Sequence, residues 1–197
     1  MPRAGLTPAV VIDEAARLAD EIGLERLTLA ALAARFGVAV PSLYKHVGGL
    51  DAVRHGVAIR GVRELGEALD RALAAAPREP SARVRALAGA YRRFALAHPG
   101  RYAATVRAAS PDDAEHVAAS DAVLRTVLGV LGERGLSGDE AIDGARGLRA
   151  ALHGFVALES AGGFGLPRDV DRSFGRLVDM LDAGLAINDS RARPNRT

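Results

Sequence analysis

Ser42, Tyr44, Lys45 and His46 gather two hydroxyls, an ammonium and an imidazole into about one and a half turns of helix, and Lys45 is the only lysine in the sequence. Such a set donates hydrogen bonds to phosphate oxygens and base edges, and its cation is drawn to a polyanion. A plainer reading makes Tyr44 a buried scaffold residue and Lys45 a solvated charge, but the tight turn just upstream and Ser42 alongside favour contact with DNA. Catalytic alternatives find little support. The sequence has no cysteine, so thiol nucleophiles, disulfides and thiolate metal sites are excluded. No glycine loop follows a strand to cradle phosphate, since Gly129, Gly132 and Gly135 fall in or at the end of a helical stretch. Ser137 with Glu140 reads as a capping box rather than a nucleophile and its base. His46 and His55 lack the i, i+4 spacing of a helical zinc site and are separated by Gly48-Gly49, so neither metal nor cofactor is expected.

The elements that must position these side chains are helices throughout, and the class expected is all-α. Alanine, leucine and arginine recur at helical spacing, and alternating β-branched runs are missing. Thr7 as N-cap and Pro8 at the first position open a helix with Val11, Ala15, Leu18 and Ile22 on one face, and Gly23 stops it. Thr28 caps a short second helix that turns Leu29, Leu32, Ala33 and Phe36 inward before Gly37. A third runs from about Val40 to Val47, with Pro41 tolerated in its first turn and Leu43 and Val47 toward the core. Two short helices joined by a glycine-containing turn form the helix-turn-helix arrangement, whose last helix is small enough to lie in the major groove.

Leu50 to about Ala76 then reads as one long helix with Val53, Val57, Leu65, Leu69 and Leu73 inward, closed by the Pro77–Pro80 breaker. Ser81 is expected to cap the next, which carries Val84, Leu87, Tyr91, Phe94 and Ala95, and a short helix with Tyr102 and Val106 follows. Pro111-Asp112-Asp113 begins one bearing Val117, Val123, Leu124, Val127, Leu128 and Leu131. The Ser137 box opens another through Leu148, Leu152 and Phe155, and Val170, Phe174, Leu177, Leu181 and Leu185 mark the last. The organisation expected is a helix-turn-helix DNA-binding domain at 1–60, joined by the long helix to a helical-bundle effector-binding and dimerisation domain at 61–187, then a polar disordered tail at 188–197.

With 49% hydrophobic residues in 197, the chain can bury a proper core. Its net charge of +2 cannot coat a duplex, so any basic face must be local. No apolar run approaches the ~18 residues of a membrane span, and Asp13 and Glu14 interrupt Val10-Val11-Ile12. The expectation is a cytoplasmic protein with no membrane partner.

The stretch from Leu27 to Val47, with Thr28, Gly37-Val38, Ser42-Leu43-Tyr44 and His46, resembles the tetracycline-repressor-like (TetR) family of transcriptional regulators. That resemblance implies a dimeric DNA-binding regulator and, by analogy, a repressor. It implies that Thr28 holds a phosphate from the second helix, that Pro41 and Ser42 touch base edges or thymine methyls, and that Tyr44, Lys45 and His46 grip backbone and adjacent bases. Two positions depart from the family's usual pattern. Ala39 stands where a serine caps the recognition helix, a loss on the order of 1 kcal/mol, and Leu50 stands where a lysine meets phosphate, leaving Arg54 as its substitute. Leu152-His153-Gly154-Phe155, with Phe174, resembles the branch whose regulatory domain is named for a Trp-His-Gly motif, Leu152 replacing the tryptophan. This implies a bundle whose last two long helices dimerise and whose earlier helices enclose a pocket.

Tyr91, Phe94, Tyr102, Val106, Leu128, Leu152, His153 and Phe155 are the candidate lining of that pocket. Few charges lie among them, so an apolar or aromatic effector with one polar handle fits better than a sugar phosphate. Aromatics at helical spacing are also ordinary core, and His153 reads first as a hydrogen-bonded core residue. The partners expected are double-stranded operator DNA, a small-molecule effector and a second copy of the chain, joined through 138–160 and 169–186. No enzymatic activity is expected. The competing reading, an all-helical small-molecule carrier or enzyme without DNA binding, leaves the 42–46 cluster without a role.

Overall fold

A computed structural model describes residues 5–191, with side chains described through 186. Among the described residues there is no strand, in keeping with the all-α expectation. The helices are α1 (Pro8–Ile22), α2 (Leu29–Phe36), α3 (Val40–Leu43), α4 (Leu50–Ala75), α5 (Pro80–Ala97), α6 (Pro99–Ala104), α7 (Ala114–Gly132), α8 (Gly138–Ser160) and α9 (Val170–Arg191), with one 3-10 turn at Leu24–Arg26. None of them is long and apolar enough to cross a membrane. The chain divides into two compact units, one formed by residues up to Leu65 with Ala97–Ser120, the other by Gly66–Leu96 with the chain from Asp121 on.

In the first unit the local signals act as the sequence predicts. The Thr7 hydroxyl accepts from the Val10 N–H at 3.3 Å, Pro8 fills the first turn, and Gly23 ends α1 at φ +88°. Val11, Leu27, Leu32, Leu43, Val53 and Val57 are fully buried. Burial of each contributes about 1.5–3 kcal/mol, against roughly 1 kcal/mol for a cap. Packing rather than capping therefore holds α2 and α3, which are too short to persist alone. The unit also takes in α6, beyond the expected boundary at residue 60. Gly100 lets α6 meet the α1 backbone, because a Cβ there would stand 2.1 Å from the Ala19 carbonyl atoms. Arg101 fastens the contact. Its N–H donates to Asp20 at 2.9 Å, and its guanidinium reaches Asp20 at 3.0 Å and Glu64 of α4 at 2.7 Å. Arg60 extends the network from Glu64 to Asp13.

The second unit departs from expectation at its helix starts. Glu79, not Ser81, caps α5: its carboxylate accepts from the N–H groups of Ser81 at 2.9 Å and Ala82 at 2.7 Å. Pro80 takes the first helical position, where its missing N–H costs nothing, and this puts the cap two residues earlier than a serine rule suggests. Those two donors hold the Glu79 carboxyl below its ordinary value. The cap is therefore intact at neutral pH and is lost as pH falls through that lowered value. Ser137 precedes α8 but makes no side-chain cap bond, so the expected capping box with Glu140 is not formed. Gly138, left-handed at φ +55°, breaks the first-turn geometry the box needs. Asp169 caps α9 by accepting from the Asp171 N–H at 2.8 Å.

α7 also differs from the sequence reading. It buries His116 and Ala119 early and Val130 and Leu131 late, while Leu124 stays 38% exposed and Val117, Val123, Val127 and Leu128 are half-buried. The helix serves the first unit up to Ser120 and the second beyond it, so no single stripe describes it. Helix α9 continues to Arg191, into the tail expected to be disordered from residue 188, and the rest of that tail, 192–197, lies outside the described residues.

Candidate nucleic-acid interface

The turn that presents α3 is built by Gly37. At φ +65° it closes α2 with its own N–H on the Ala34 carbonyl at 3.1 Å and the Val38 N–H on the Ala33 carbonyl at 3.0 Å, a Schellman closure. Ala39 follows in extended conformation as N-cap with no side-chain bond, as an alanine must. The regular helix then spans only Val40–Leu43, shorter than the expected Val40–Val47. The N–H groups of His46 and Val47 both bond the Leu43 carbonyl, at 2.9 and 3.0 Å, so Tyr44–His46 continues as a tightened turn.

Leu43 and Val47 anchor this segment from below, fully buried and 8% exposed respectively. Above them Pro41 and Lys45 are exposed, Ser42 and His46 half-buried, and Tyr44 is 60% exposed. Five of the six predicted residues thus lie on one short segment, and Tyr44 is not buried scaffold. Thr28 sits at the start of α2, exposed, with its Oγ1 accepting from the Ala31 N–H at 3.1 Å. Its hydroxyl proton remains a donor at a helix N-terminus, where an anion is favoured. Thr28→Ala is expected to cost about 1 kcal/mol in unfolding experiments and to weaken DNA binding, while Thr28→Ser restores both.

Arg54, the sequence's substitute for a phosphate contact, has another use. Its Nη2 donates to the carbonyls of Glu25 and Leu27, each at 3.4 Å, tying α4 to the segment that enters α2. It positions Thr28. Arg35 likewise holds α2 to α1 through Glu14 at 2.7 Å and Glu21 at 2.5 Å. The pairing keeps the Glu21 carboxyl below its ordinary value and the Arg35 guanidinium above its own. Arg26 and Lys45, by contrast, have no carboxylate partner among the described residues. The sequence reading missed Arg26, whose place in the turn just before Thr28 was the available signal.

The eight candidate effector residues fall in different places. Tyr91, Phe94 and Leu152 are buried in the second unit, with His153 and Phe155 half-buried on α8. Leu128 packs against a separate cluster of Leu131, Leu136 and Ala141. Tyr102, buried, and Val106, 43% exposed, belong to the first unit. Phe155 has a fastening role: its ring meets Phe164 at 4.7 Å and, edge-on, Phe174 at 5.2 Å. The Arg92 guanidinium lies 4.8 Å over Phe174 and binds Glu159 with two bonds of 2.7 and 2.5 Å and Asp171 at 2.7 Å. Those carboxylates hold it more firmly protonated than an ordinary arginine.

An exposed polar α3 set by a glycine turn on a buried three-helix base defines a helix-turn-helix DNA-binding transcriptional regulator. Residues 11–49 match the bacterial regulatory proteins of the tetR family, and residues 84–181 match the tetracyclin repressor-like C-terminal domain. The chain belongs to the TetR family, whose members are regulators rather than enzymes. It is 36% identical over 188 residues to the uncharacterized HTH-type transcriptional regulator YobS of Bacillus subtilis (strain 168), covering 95% of this chain and 96% of that one. A solved protein of unknown function from Rhodococcus sp. RHA1 superposes with a TM-score of 0.77 at 29% identity, covering 92% of this chain and 96% of its own. ActR of Streptomyces coelicolor, solved in complex with (S)-DNPA, shares the fold with a TM-score of 0.66 at 21% identity over 94% of this chain and 99% of that one.

Proposed function

We propose that this regulator is a cytoplasmic repressor that binds a pseudo-palindromic operator as a homodimer and leaves it when a small, mostly apolar molecule binds. The observation that carries the DNA-reading part is the division of one short segment into buried Leu43 and Val47 and exposed Pro41, Tyr44 and Lys45. Exposed side chains with no packing duty, beside a threonine hydroxyl on a helix N-terminus, are arranged for a phosphate backbone and the groove beside it. The dimer reading rests on α8 and α9, where Leu158 and Met180 are 52% and 69% exposed. Covering such faces with a second copy gains about 25 cal/mol per Å² of apolar surface, and a two-fold pair sets its recognition segments about 34–36 Å apart.

For the effector, the reading is that Tyr91, Phe94 and Leu152 of the second unit supply apolar lining and His153 a polar contact, with Leu128 and Phe155 as the remaining candidates of that unit. The small molecule bound to the related fold of ActR supports a sensor. Helix α4 is continuous from Leu50 to Ala75, through both units, and is the element through which binding would reach α3. Two titrations test the proposal. Lys45→Ala is expected to lower the slope of log affinity against log salt by about 1, and an unchanged slope and affinity would remove Lys45 from the interface. A ligand found by thermal shift is expected to bind about 5–150-fold more weakly in the presence of operator, and equal affinities would exclude it as an inducer.

A further inference from the structure

We propose that His55, Asp113 and His116 form a binding site for a divalent transition-metal ion of the zinc class within the unit that carries the helix-turn-helix. A ring nitrogen of each histidine and a carboxylate oxygen of Asp113 lie within 4.8 Å of one another. His55 Nε2 is 3.1 Å from Asp113 Oδ2, and His116 Nδ1 is 3.8 Å from the same oxygen. Donors bound tetrahedrally at about 2.0–2.1 Å stand roughly 3.3 Å apart, so the observed separations bracket those of a shared ion. The two rings meet edge to face at 72°, with centroids 5.9 Å apart, and are not stacked in a way that would block an ion.

The surroundings also favour a cation. His116 is only 6% exposed, and its Nε2 is buried without a hydrogen-bond partner among the described residues. The nitrogen nearer Asp113 is Nδ1, so an ion shared with that carboxylate takes Nδ1 and leaves Nε2 to carry the ring proton. Asp113 is held in place, because its Oδ1 accepts the His116 N–H at 3.1 Å as the cap of α7, leaving Oδ2 for the histidines. Imidazole and carboxylate oxygen suit zinc and its neighbours rather than magnesium or calcium, and three protein donors leave a position for water. The ligands come from α4 and the start of α7, so no local spacing in the sequence announces them, and an ion there would pin α7 to the first turns of α4.

The test uses the whole chain of 197 residues, freed of metal by a chelator and then titrated with Zn2+ by calorimetry and with Co2+ by visible absorption. The wild-type chain is expected to take one ion per chain, to melt higher with Zn2+ present, and to give the intense visible bands of low-symmetry Co2+. His55→Ala and His116→Gln are expected to lose affinity by about 100-fold or more, while Glu115→Gln, an exposed neighbouring carboxylate paired with Arg63, retains it. His55 is half-exposed, so its variant is expected to fold normally without metal, which circular dichroism checks. His55→Cys separates ligation from indirect effects, since a thiolate on Co2+ adds a strong near-ultraviolet charge-transfer band. Equal Zn2+ affinity in wild type and His55→Ala, or a folded His55→Cys without that band, would overturn the proposal.

Discussion

Gly100→Ala is expected to lower stability by about 3 kcal/mol, the upper end of overpacking costs, and to depress the melting midpoint by roughly 6–12 °C at ~2–4 °C per kcal/mol for a chain of this size. A Cβ at this position would stand 2.1 Å from both the carbonyl carbon and oxygen of Ala19 and 2.6 Å from the Asp20 nitrogen. These are backbone atoms, which no rotamer change can move, so α6 must lift from α1. Lifting it also stretches the Arg101 contacts to Asp20 and Glu64. The comparison that isolates this cause is Gly129→Ala. Nothing lies within 4 Å of a Cβ there, in the last turn of α7, so the same substitution is expected to stabilise by up to about 1 kcal/mol. Thermal unfolding of both variants at one protein concentration checks the pair, and equal effects of the two would remove the close approach from the account.

Arg92→Met is expected to cost about 3 kcal/mol, the second large effect. The guanidinium and its partner Glu159 are 14% and 18% exposed, so the substitution leaves a mostly buried carboxylate without its cation and removes the contact over the Phe174 ring. Asp171 is 81% exposed and rehydrates readily, contributing little. Replacing both members, Arg92→Met with Glu159→Leu, is expected to recover most of the loss, since two apolar groups leave no orphaned charge. The single and double variants therefore separate an ion-pair effect from simple loss of packing. If the two single changes add in the double variant, measured by urea unfolding, the pair is not coupled as described.

What the sequence disclosed and what it hid follow from how local each interaction is. The Thr7 and Thr28 caps, the Gly23 and Gly37 stops and the apolar rows of α1, α2 and α4 are set by residues within a few positions of one another, and all were legible. The outward set of residues 41–46 was legible for the same reason. Gly100 carried no local signal, because its closeness to Ala19 depends on how α6 folds back. Arg54 looked like a spare cation until the carbonyls of Glu25 and Leu27 were placed beside it. Ser81 and Ser137 obeyed composition rules that Pro80 and a left-handed Gly138 overrode. The effector candidates were chosen by residue type along separate helices, and residue type alone does not say which of them share one cavity.

The most direct test of DNA reading by α3 is selection from a pool of randomised duplexes with the purified protein and with a Tyr44→Ala, Lys45→Ala variant. Both residues are exposed, so the variant is expected to fold and melt as wild type does. Wild type is expected to enrich an inverted repeat whose half-sites are centred about 10–10.5 base pairs, or a multiple of that, apart, and the variant is expected to enrich none. Enrichment of the same repeat by the variant, with undiminished affinity, would contradict the assignment of this segment as the DNA reader.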